Sequence, residues 1–224
     1  MPSQSEDSRP LIVILALNKE EFYNDLYADF NKLLKTHANV EYATTPNEAR
    51  AFFNCSGINK PTAILSADES LTPSTRLTLA QEAASYVRSG GTLVFMGLFS
   101  SFTRPSDMEL LFSKFGLPWA SGDYHRTTFA LNPAMKLLDT SGLAQSCSQK
   151  ALHVRNVQHG DAVYLPSSES RTESAVFLPR PVADRTQTPA AFASVGEGKV
   201  GYVGDVNNED DTTAVVLRMC GLVL

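Results

Sequence analysis

Predicted strands and helices alternate four times within the first 116 residues of this 224-residue chain. The run LIVILAL at residues 11–17 is apolar and rich in branched side chains, as in a parallel strand that is buried on both faces. Further strands are predicted at residues 40–43, 62–67 and 92–96, and helix-forming segments lie between and after them. Such alternation predicts an α/β fold, in which a mostly parallel sheet has right-handed crossovers and helices on both faces.

The helix starts are marked by capping-box pairs, in which a side-chain acceptor is followed three residues later by Glu. Pro73 suits the first turn of the third helix, and Gly90 ends that helix because glycine accepts the left-handed conformation. The capping pairs are Asn18 with Glu21, Thr45 with Glu48, and Ser106 with Glu109. The predicted buried side chains are Phe22, Leu26, Phe30 and Leu33 in the first helix and Leu77, Ala80, Ala84 and Val87 in the third.

The second half of the chain changes character, because short apolar segments alternate with Pro, Gly, Ser and Asp. This pattern predicts added antiparallel strands at residues 127–131, 151–154, 162–165 and 175–178, one short helix near Met135, and a mobile loop at 167–173. A last helix is predicted at 208–220. We expect a disordered leader at residues 1–10 and a single domain at 11–224.

Two strands at 190–195 and 199–203 flank Gly196-Glu197-Gly198, which predicts a hairpin. The segment 196–201 also matches the pattern G-x-G-x-x-G. A dinucleotide site needs that loop between a strand and a helix, so here it is interpreted as a turn.

Composition excludes several functions. The net charge is −5 and Lys and Arg are not clustered, so we expect no nucleic-acid partner. No apolar run reaches the roughly 18 residues of a membrane span, so we expect no membrane association. Cys55, Cys147 and Cys220 lack metal-type spacing and predict free thiols in a cytoplasmic protein. Cys147 lies in a polar stretch and is predicted to be the most reactive of them, with Cys55 and Cys220 buried.

Two longer motifs point to a family. The segment YVRSGGTLVFMG at 86–97 joins a helix to a strand, and FASVGEGKVGYVGD at 192–205 forms the closing hairpin. Both resemble elements of class I glutamine amidotransferase-like domains, in particular the trehalose-utilisation-type subgroup. The resemblance implies a flavodoxin-like three-layer α/β/α sandwich. In active members it also implies a cysteine nucleophile paired with a histidine.

The chain departs from that family at both catalytic positions. Amidotransferases carry Gly-x-Cys-x-Gly after a central strand, whereas this chain has Gly97-Leu98-Phe99-Ser100-Ser101. The partner histidine is replaced by the segment Asp205-Val206-Asn207-Asn208. A thiolate–imidazole pair needs both groups, so we predict that glutamine hydrolysis is absent.

Other side chains near this turn allow weaker catalytic hypotheses. Ser100 or Ser101 would act as a nucleophile if His125, His153 or His159 were its base, although both serines also suit backbone capping. Glu20 and Glu21 resemble a glutamate that relatives place against their cysteine, but acids in a first helical turn also complement the helix dipole. The acids Asp205, Glu209, Asp210 and Asp211 are interpreted in the same way, and we expect no metal and no cofactor.

The favoured hypothesis is therefore a catalytically degenerate protein. It would bind a small polar metabolite or a protein partner in the crevice at the strand ends, where ligands collect in open α/β sheets. The predicted pocket residues are Asn18, Asp68, Gly97, Leu98, Phe99, Asp205 and Asn207. The alternatives are a hydrolase that uses a rearranged serine or carboxylate site and a structural subunit that dimerises, so the chain is expected to be a monomer or a homodimer.

Overall fold

The computed structural model describes residues 9–18 and 20–223. Its strands are β1 (Leu11–Leu15), β2 (Asn39–Ala43), β3 (Ala63–Ser66), β4 (Thr92–Phe95), β5 (Ala120–Leu131), β6 (Ser146–Arg155), β7 (Tyr164–Pro166), β8 (Ala190–Val195) and β9 (Gly198–Val203). Its helices are α1 (Tyr23–Leu26), α2 (Ala28–His37), α3 (Pro46–Phe53), α4 (Pro73–Arg88), α5 (Phe99–Phe102), α6 (Pro105–Lys114) and α7 (Asp210–Met219).

The main sheet has the strand order β2-β1-β3-β4-β9-β8. The first five strands of this order are parallel, and β8 pairs with β9 in the antiparallel direction. The order 2-1-3-4 with a further parallel strand is that of a flavodoxin-like sheet. A second, antiparallel sheet has the order β6-β5-β7. The predicted α/β fold, with antiparallel strands added in the second half, is confirmed.

The main sheet is buried on both faces because alternate residues of its strands point into two apolar layers. Ile12 and Ile14 of β1 pack in the layer that contains the buried side chains of α2 and α7. Val13 and Leu15 pack in the opposite layer, with α3, α4 and α6. Each such aliphatic side chain contributes about 1.5–3 kcal/mol on burial. This explains why the strand reads as a continuous apolar run rather than an alternating one.

The second sheet lies against the carboxyl end of β9. The amide of Leu152 in β6 donates to the Gly204 carbonyl at 2.9 Å, and Ala151 forms a bridge with Asp205. The hydroxyl of Tyr202 donates to the Leu152 carbonyl at 2.7 Å. The added strands therefore cover one part of the edge where the parallel strands end.

The first predicted helix differs from expectation. It is divided into α1 and α2 at Tyr27, whose φ of −106° and ψ of 19° are not helical. The change of direction exposes two residues of the predicted face, since Phe22 is 47% exposed and Leu33 is 39% exposed. Phe30 is buried as predicted, and Tyr23, Tyr27 and Leu34 are buried in addition.

Two of the predicted helix caps are wrong and one is confirmed. The Thr45–Glu48 capping box is present. Arg104 precedes α6 without a side-chain cap, so Ser106 lies inside the helix. Asn18 does not cap α1, since the helix begins five residues later and the Asn18 amide donates to Asp68.

Further corrections concern burial and the second half. Leu77 is 47% exposed, because α4 is kinked at Arg76 (φ −145°, ψ 61°). Residues 175–178 form no strand and are exposed, and Met135 is buried in a turn rather than a helix. The 167–173 segment is fixed by Ser170, whose hydroxyl donates to the Thr128 carbonyl at 2.5 Å.

Both ends of the sequence differ in part from the predictions. Residues 1–8 of the predicted leader lie outside the described residues, and the Pro10 carbonyl accepts a hydrogen bond from the Asn39 amide. Helix α7 starts at Asp210, two residues later than predicted, since Asn208 has a φ of 54°. Over residues 9–18 and 20–223, every helix is too short or too polar to cross a bilayer.

Candidate functional site

The turn after β4 is held against the end of β3. The Leu98 amide donates to the Ala67 carbonyl at 2.8 Å, and Gly97 has a φ of +67°. A Cβ atom at position 97 would lie 2.9 Å from that same carbonyl oxygen. Glycine is required there for its conformation and for the close approach of the two backbones.

Phe99 is the residue that the resemblance aligns with the cysteine of active amidotransferases, and its side chain is fully buried. Its ring centroid lies 4.8 Å from that of Phe95, 6.3 Å from Phe112 and 6.2 Å from Tyr202. This position therefore belongs to the aromatic core and offers no nucleophile.

The two serines that follow are not linked to a base. Ser100 is 5% exposed and its hydroxyl has no hydrogen-bond partner, while Ser101 is exposed. The Nε2 atoms of His125 and His153 are also buried without a partner. The two imidazoles pack against each other instead, with ring centroids 4.4 Å apart. The serine–histidine hydrogen bond that a hydrolase would use is therefore not formed between these groups.

Asp68 joins the ends of β1 and β3. Its Oδ2 accepts the Asn18 amide at 2.7 Å and its Oδ1 accepts the Ser70 amide at 3.0 Å. The side chain is 2% exposed, and burial raises the pKa of the carboxyl group above its usual value. Strand order changes direction between β1 and β3, so this carboxylate connects the two strands at the topological switch point of the sheet.

The Asn18 side chain hydrogen-bonds to both Glu69 and Arg76 at this switch point. Its Nδ2 donates to Glu69 Oε1 at 2.9 Å, and its Oδ1 accepts from Arg76 Nη2 at 3.0 Å. Arg76 Nη1 also donates to the Ser70 carbonyl at 3.3 Å. Within residues 9–18 and 20–223, no carboxylate forms an ion pair with Arg76.

A cleft of about 400 Å³ adjoins this cluster, between the start of α3 and the start of α4. Arg50 and Arg76 both line it, together with Pro46 and Leu77. The Arg50 guanidinium forms an ion pair with Glu82 at 2.9 Å. Its positive charge is therefore balanced by a carboxylate, whereas Arg76 contacts neutral groups.

Asp205, which the resemblance aligns with the partner histidine of active amidotransferases, fixes the loop before α7. Its Oδ1 accepts the Asn207 amide at 2.8 Å, and its Oδ2 accepts the Glu209 amide at 2.7 Å and the Thr212 hydroxyl at 2.5 Å. Burial raises the pKa of this carboxyl group as well. Glu209 pairs with Arg126, and Asp210 and Asp211 are exposed, so the four acids do not converge on one point.

Two tyrosines at this edge were missed by the sequence analysis. Tyr23 and Tyr27 stack with ring centroids 4.8 Å apart and are almost fully buried. Burial raises the pKa of both phenols, and so do the negative charges of Asp68 near Tyr23 and of Asp205 near Tyr27. The spacing of the apolar residues had favoured Phe22, and nothing in the sequence marked the break in the helix.

Glu20, Glu21 and Asn207 are exposed at the rim of this edge. Of the predicted pocket residues, Asp68, Leu98, Phe99 and Asp205 are buried and bonded or packed within the fold. Asn18 is half-buried, and its side chain is hydrogen-bonded to Glu69 and Arg76. The predicted residues therefore lie at one edge of the main sheet, but most of them have a structural role.

The thiols do not contribute to this edge as a nucleophile. Cys147 is 4% exposed and burial raises its pKa to about 12, so the prediction that it is the most reactive thiol is wrong. Burial likewise raises the pKa of Cys220 to about 12. Cys55 was predicted to be buried and is half-exposed.

Solved structures with the same fold include two proteins classed as ThuA-like. One, from Bacteroides uniformis ATCC 8492, is 11% identical and has a TM-score of 0.55 over 95% of this chain and 91% of its own. The other, from Parabacteroides merdae ATCC 43184, is 11% identical and has a TM-score of 0.55 over 95% and 88%. A protein of Salmonella typhimurium LT2 named as cytoplasmic is 11% identical and has a TM-score of 0.54 over 94% and 98%.

No protein-family model matches the chain, and no curated protein matches its sequence. At 11% identity the likeness concerns the fold alone. The chain therefore shares its fold with ThuA-like proteins, in agreement with the resemblance to the trehalose-utilisation-type subgroup.

Proposed function

We propose that this chain is a class I glutamine amidotransferase-like protein without amidotransferase activity, which binds a small polar metabolite at the β1/β3 switch point. The metabolite carries an anionic group, a carboxylate or a phosphate, that pairs with Arg76. The single observation that supports this proposal best is the Arg76 guanidinium, which is held in place by neutral partners and forms no ion pair with a carboxylate of residues 9–18 and 20–223.

The chemistry of the cluster sets the ligand class. A guanidinium positioned by two hydrogen bonds keeps other N–H donors for a planar anion, and such charge-assisted bonds are about twice as strong as neutral ones. Glu69 lies on the other side of Asn18 and is an acceptor. A hydroxyl or amine on the same ligand would donate to it, so a polar metabolite with both kinds of group fits better than a simple ion.

The absence of amidotransferase chemistry rests on the two family positions. Phe99 supplies no thiol and lies in the core, and Asp205 is committed to the loop before α7. A covalent thioester route needs a nucleophile and a base in contact. We therefore propose binding rather than glutamine hydrolysis. We further propose a cytoplasmic protein that acts as a monomer or a homodimer, in agreement with its unpaired cysteines.

The proposal is tested by chemical-shift perturbation on the full chain with four probes: glutamate, glucose 6-phosphate, inorganic phosphate and uncharged glucose. We expect at least one of the two organic anions to shift amides near Asn18, Glu69 and Arg76, with glucose giving no such shift. Arg76→Gln should weaken that binding at least tenfold. Arg104→Gln, a substitution of an exposed arginine at the start of α6, is the matched control and should leave it unchanged.

Equal binding by the Arg76→Gln and parent proteins would contradict the proposal, as would an ammonia-releasing activity on glutamine. Binding of a probe at other amides only would contradict the site but not the absence of catalysis.

A further inference from the structure

A second cleft lies on the added antiparallel sheet, away from the switch point. Its volume is about 660 Å³, and it opens between β5, β6 and the segment 172–177. Its lining combines Arg126 and Lys150, which are cationic, with Glu173 and with the rings of Tyr124 and Phe177. The charged side chains of this lining are thus two cations and one anion, beside two aromatic side chains.

The two cations are directly opposite each other in the β5–β6 ladder, where Arg126 pairs with Lys150. Like charges at opposed positions of an antiparallel pair are destabilising. On the other side of Arg126, Glu173 forms a bridge with it, so the three side chains make a row across the cleft.

The two positive charges in this row differ in their partners, since Arg126 has an ion pair and Lys150 has none among the described residues. Arg126 donates to both carboxylate oxygens of Glu209, and Glu173 accepts from the hydroxyls of Thr128 and Ser148 at 3.1 Å each. Lys150 is exposed and forms no ion pair with a carboxylate of the described chain. Its ammonium lies 5.4 Å from the centre of the Tyr124 ring.

The apolar side of the cleft is unusually open. Tyr124 is 55% exposed and Phe177 is 72% exposed, and Val176 and Leu178 beside Phe177 are 82% and 86% exposed. Aromatic side chains exposed on the wall of a cleft offer an apolar surface on which a ligand ring can pack. A ligand whose aromatic ring packs on Tyr124 and Phe177 would place its negatively charged group beside the ammonium of Lys150.

We propose that this cleft binds a small organic anion with an aromatic body, recognised by Lys150 through its charge and by Tyr124 and Phe177 through its ring. The site is separate from the switch point. Its test therefore succeeds or fails independently of the function proposed above.

The test uses two matched fluorescent probes with the full chain. The anionic probe is 8-anilinonaphthalene-1-sulfonate, and N-phenyl-1-naphthylamine is the same aromatic system without the sulfonate. We expect one saturable site for the anionic probe, with at least tenfold tighter binding than for the neutral probe. Lys150→Gln should weaken binding of the anionic probe at least tenfold and leave the neutral probe unchanged, and Phe177→Ser should weaken both.

Lys136→Gln is the control, because Lys136 is an exposed lysine whose ammonium donates to the nearby Pro133 carbonyl. It should leave both probes unchanged. Near-UV circular dichroism of each variant verifies that the probe is reporting on folded protein. Equal affinity for the two probes, or an anionic-probe affinity that Lys150→Gln does not alter in the folded variant, would overturn the proposal.

Discussion

The ring of Phe99 lies 4.8 Å from the ring of Phe95, so the first residue of α5 packs on the strand that leads into it. A polar or reactive side chain at this position would have to enter the aromatic layer formed with Phe112 and Tyr202. Position 99 therefore serves core packing, and a cysteine placed there alone should not produce glutamine hydrolysis.

We predict that Phe99→Cys lowers the free energy of unfolding by about 3–5 kcal/mol, the range for truncating a buried aromatic residue. We expect no release of ammonia from glutamine by this variant. Urea denaturation gives the first quantity and a coupled ammonia assay the second. Phe102→Cys is the control, since Phe102 is 45% exposed, and it should cost less than about 1 kcal/mol. A Phe99→Cys protein as stable as the parent would contradict this assignment of the core.

His153 should make the protein less stable in acid. Burial, together with the smaller effect of the adjacent His125 imidazole, lowers its pKa from 6.5 to about 3. The unfolded chain therefore binds a proton that the native protein excludes, and stability falls as the pH decreases from about 6.5 towards 3. The expected loss from this residue is about 1.4 kcal/mol per pH unit in that window.

The measurement compares urea unfolding of the parent and of His153→Leu at pH 7, 6 and 5. The difference in stability between the two proteins should shift in favour of the variant as the pH decreases. His159→Gln, at an exposed histidine, should follow the parent. Parallel pH profiles for the parent and His153→Leu would show that His153 is not held neutral.

Gly97→Ala tests the close contact between the turn and the end of β3. The substitution imposes a positive φ on alanine and brings its Cβ to 2.9 Å from the Ala67 carbonyl. Gly116→Ala is the matched control, because Gly116 has a φ of +78° and open space around it. The control should cost about 1–2 kcal/mol from the backbone alone. Gly97→Ala should cost at least 1 kcal/mol more by urea denaturation, and equal costs would contradict the contact.

Thiol labelling should distinguish the three cysteines. Burial raises the pKa of Cys147 and Cys220 to about 12, so thiolate is scarce at both positions at pH 8. Cys55 is half-exposed and should be the thiol that reacts first with an aromatic disulfide reagent. Cys55→Ser should abolish the fast phase, and Cys147→Ser should leave it intact. A fast phase that persists in Cys55→Ser would show that one of the buried thiols is accessible.

The sequence predicted the main sheet well because its strands are buried on both faces. The run at 11–17 and the shorter runs at 62–67 and 92–96 could not be amphipathic surface elements. Asp68 and Asp205 follow strands in the sequence, and parallel strands end at one edge, so the sequence also predicts that both lie at the edge where β3 and β9 end. The sequence did not show that these carboxylates would be buried and used to hold loops.

The features that escaped prediction depend on small backbone changes. Non-helical dihedral angles at Tyr27 and Arg76 rotate the helices on either side, so Phe22 and Leu77 face solvent. Arg76, where α4 is kinked, is also the residue whose guanidinium hydrogen-bonds to Asn18. Residues 175–178 have a strand-like composition but no neighbouring strand to pair with, and tertiary context decides such short segments.

The position of β9 in the sheet has a consequence for folding during translation. Thr92 in β4 pairs with Lys199 in β9, so about 100 residues must be translated before the central strand finds its neighbour. At usual synthesis speeds this takes on the order of 5–20 s. During that time β4 presents an open edge to other nascent chains. Fragments that end before β9 should therefore aggregate, and protection by chaperones should matter more for this protein than its final compactness suggests.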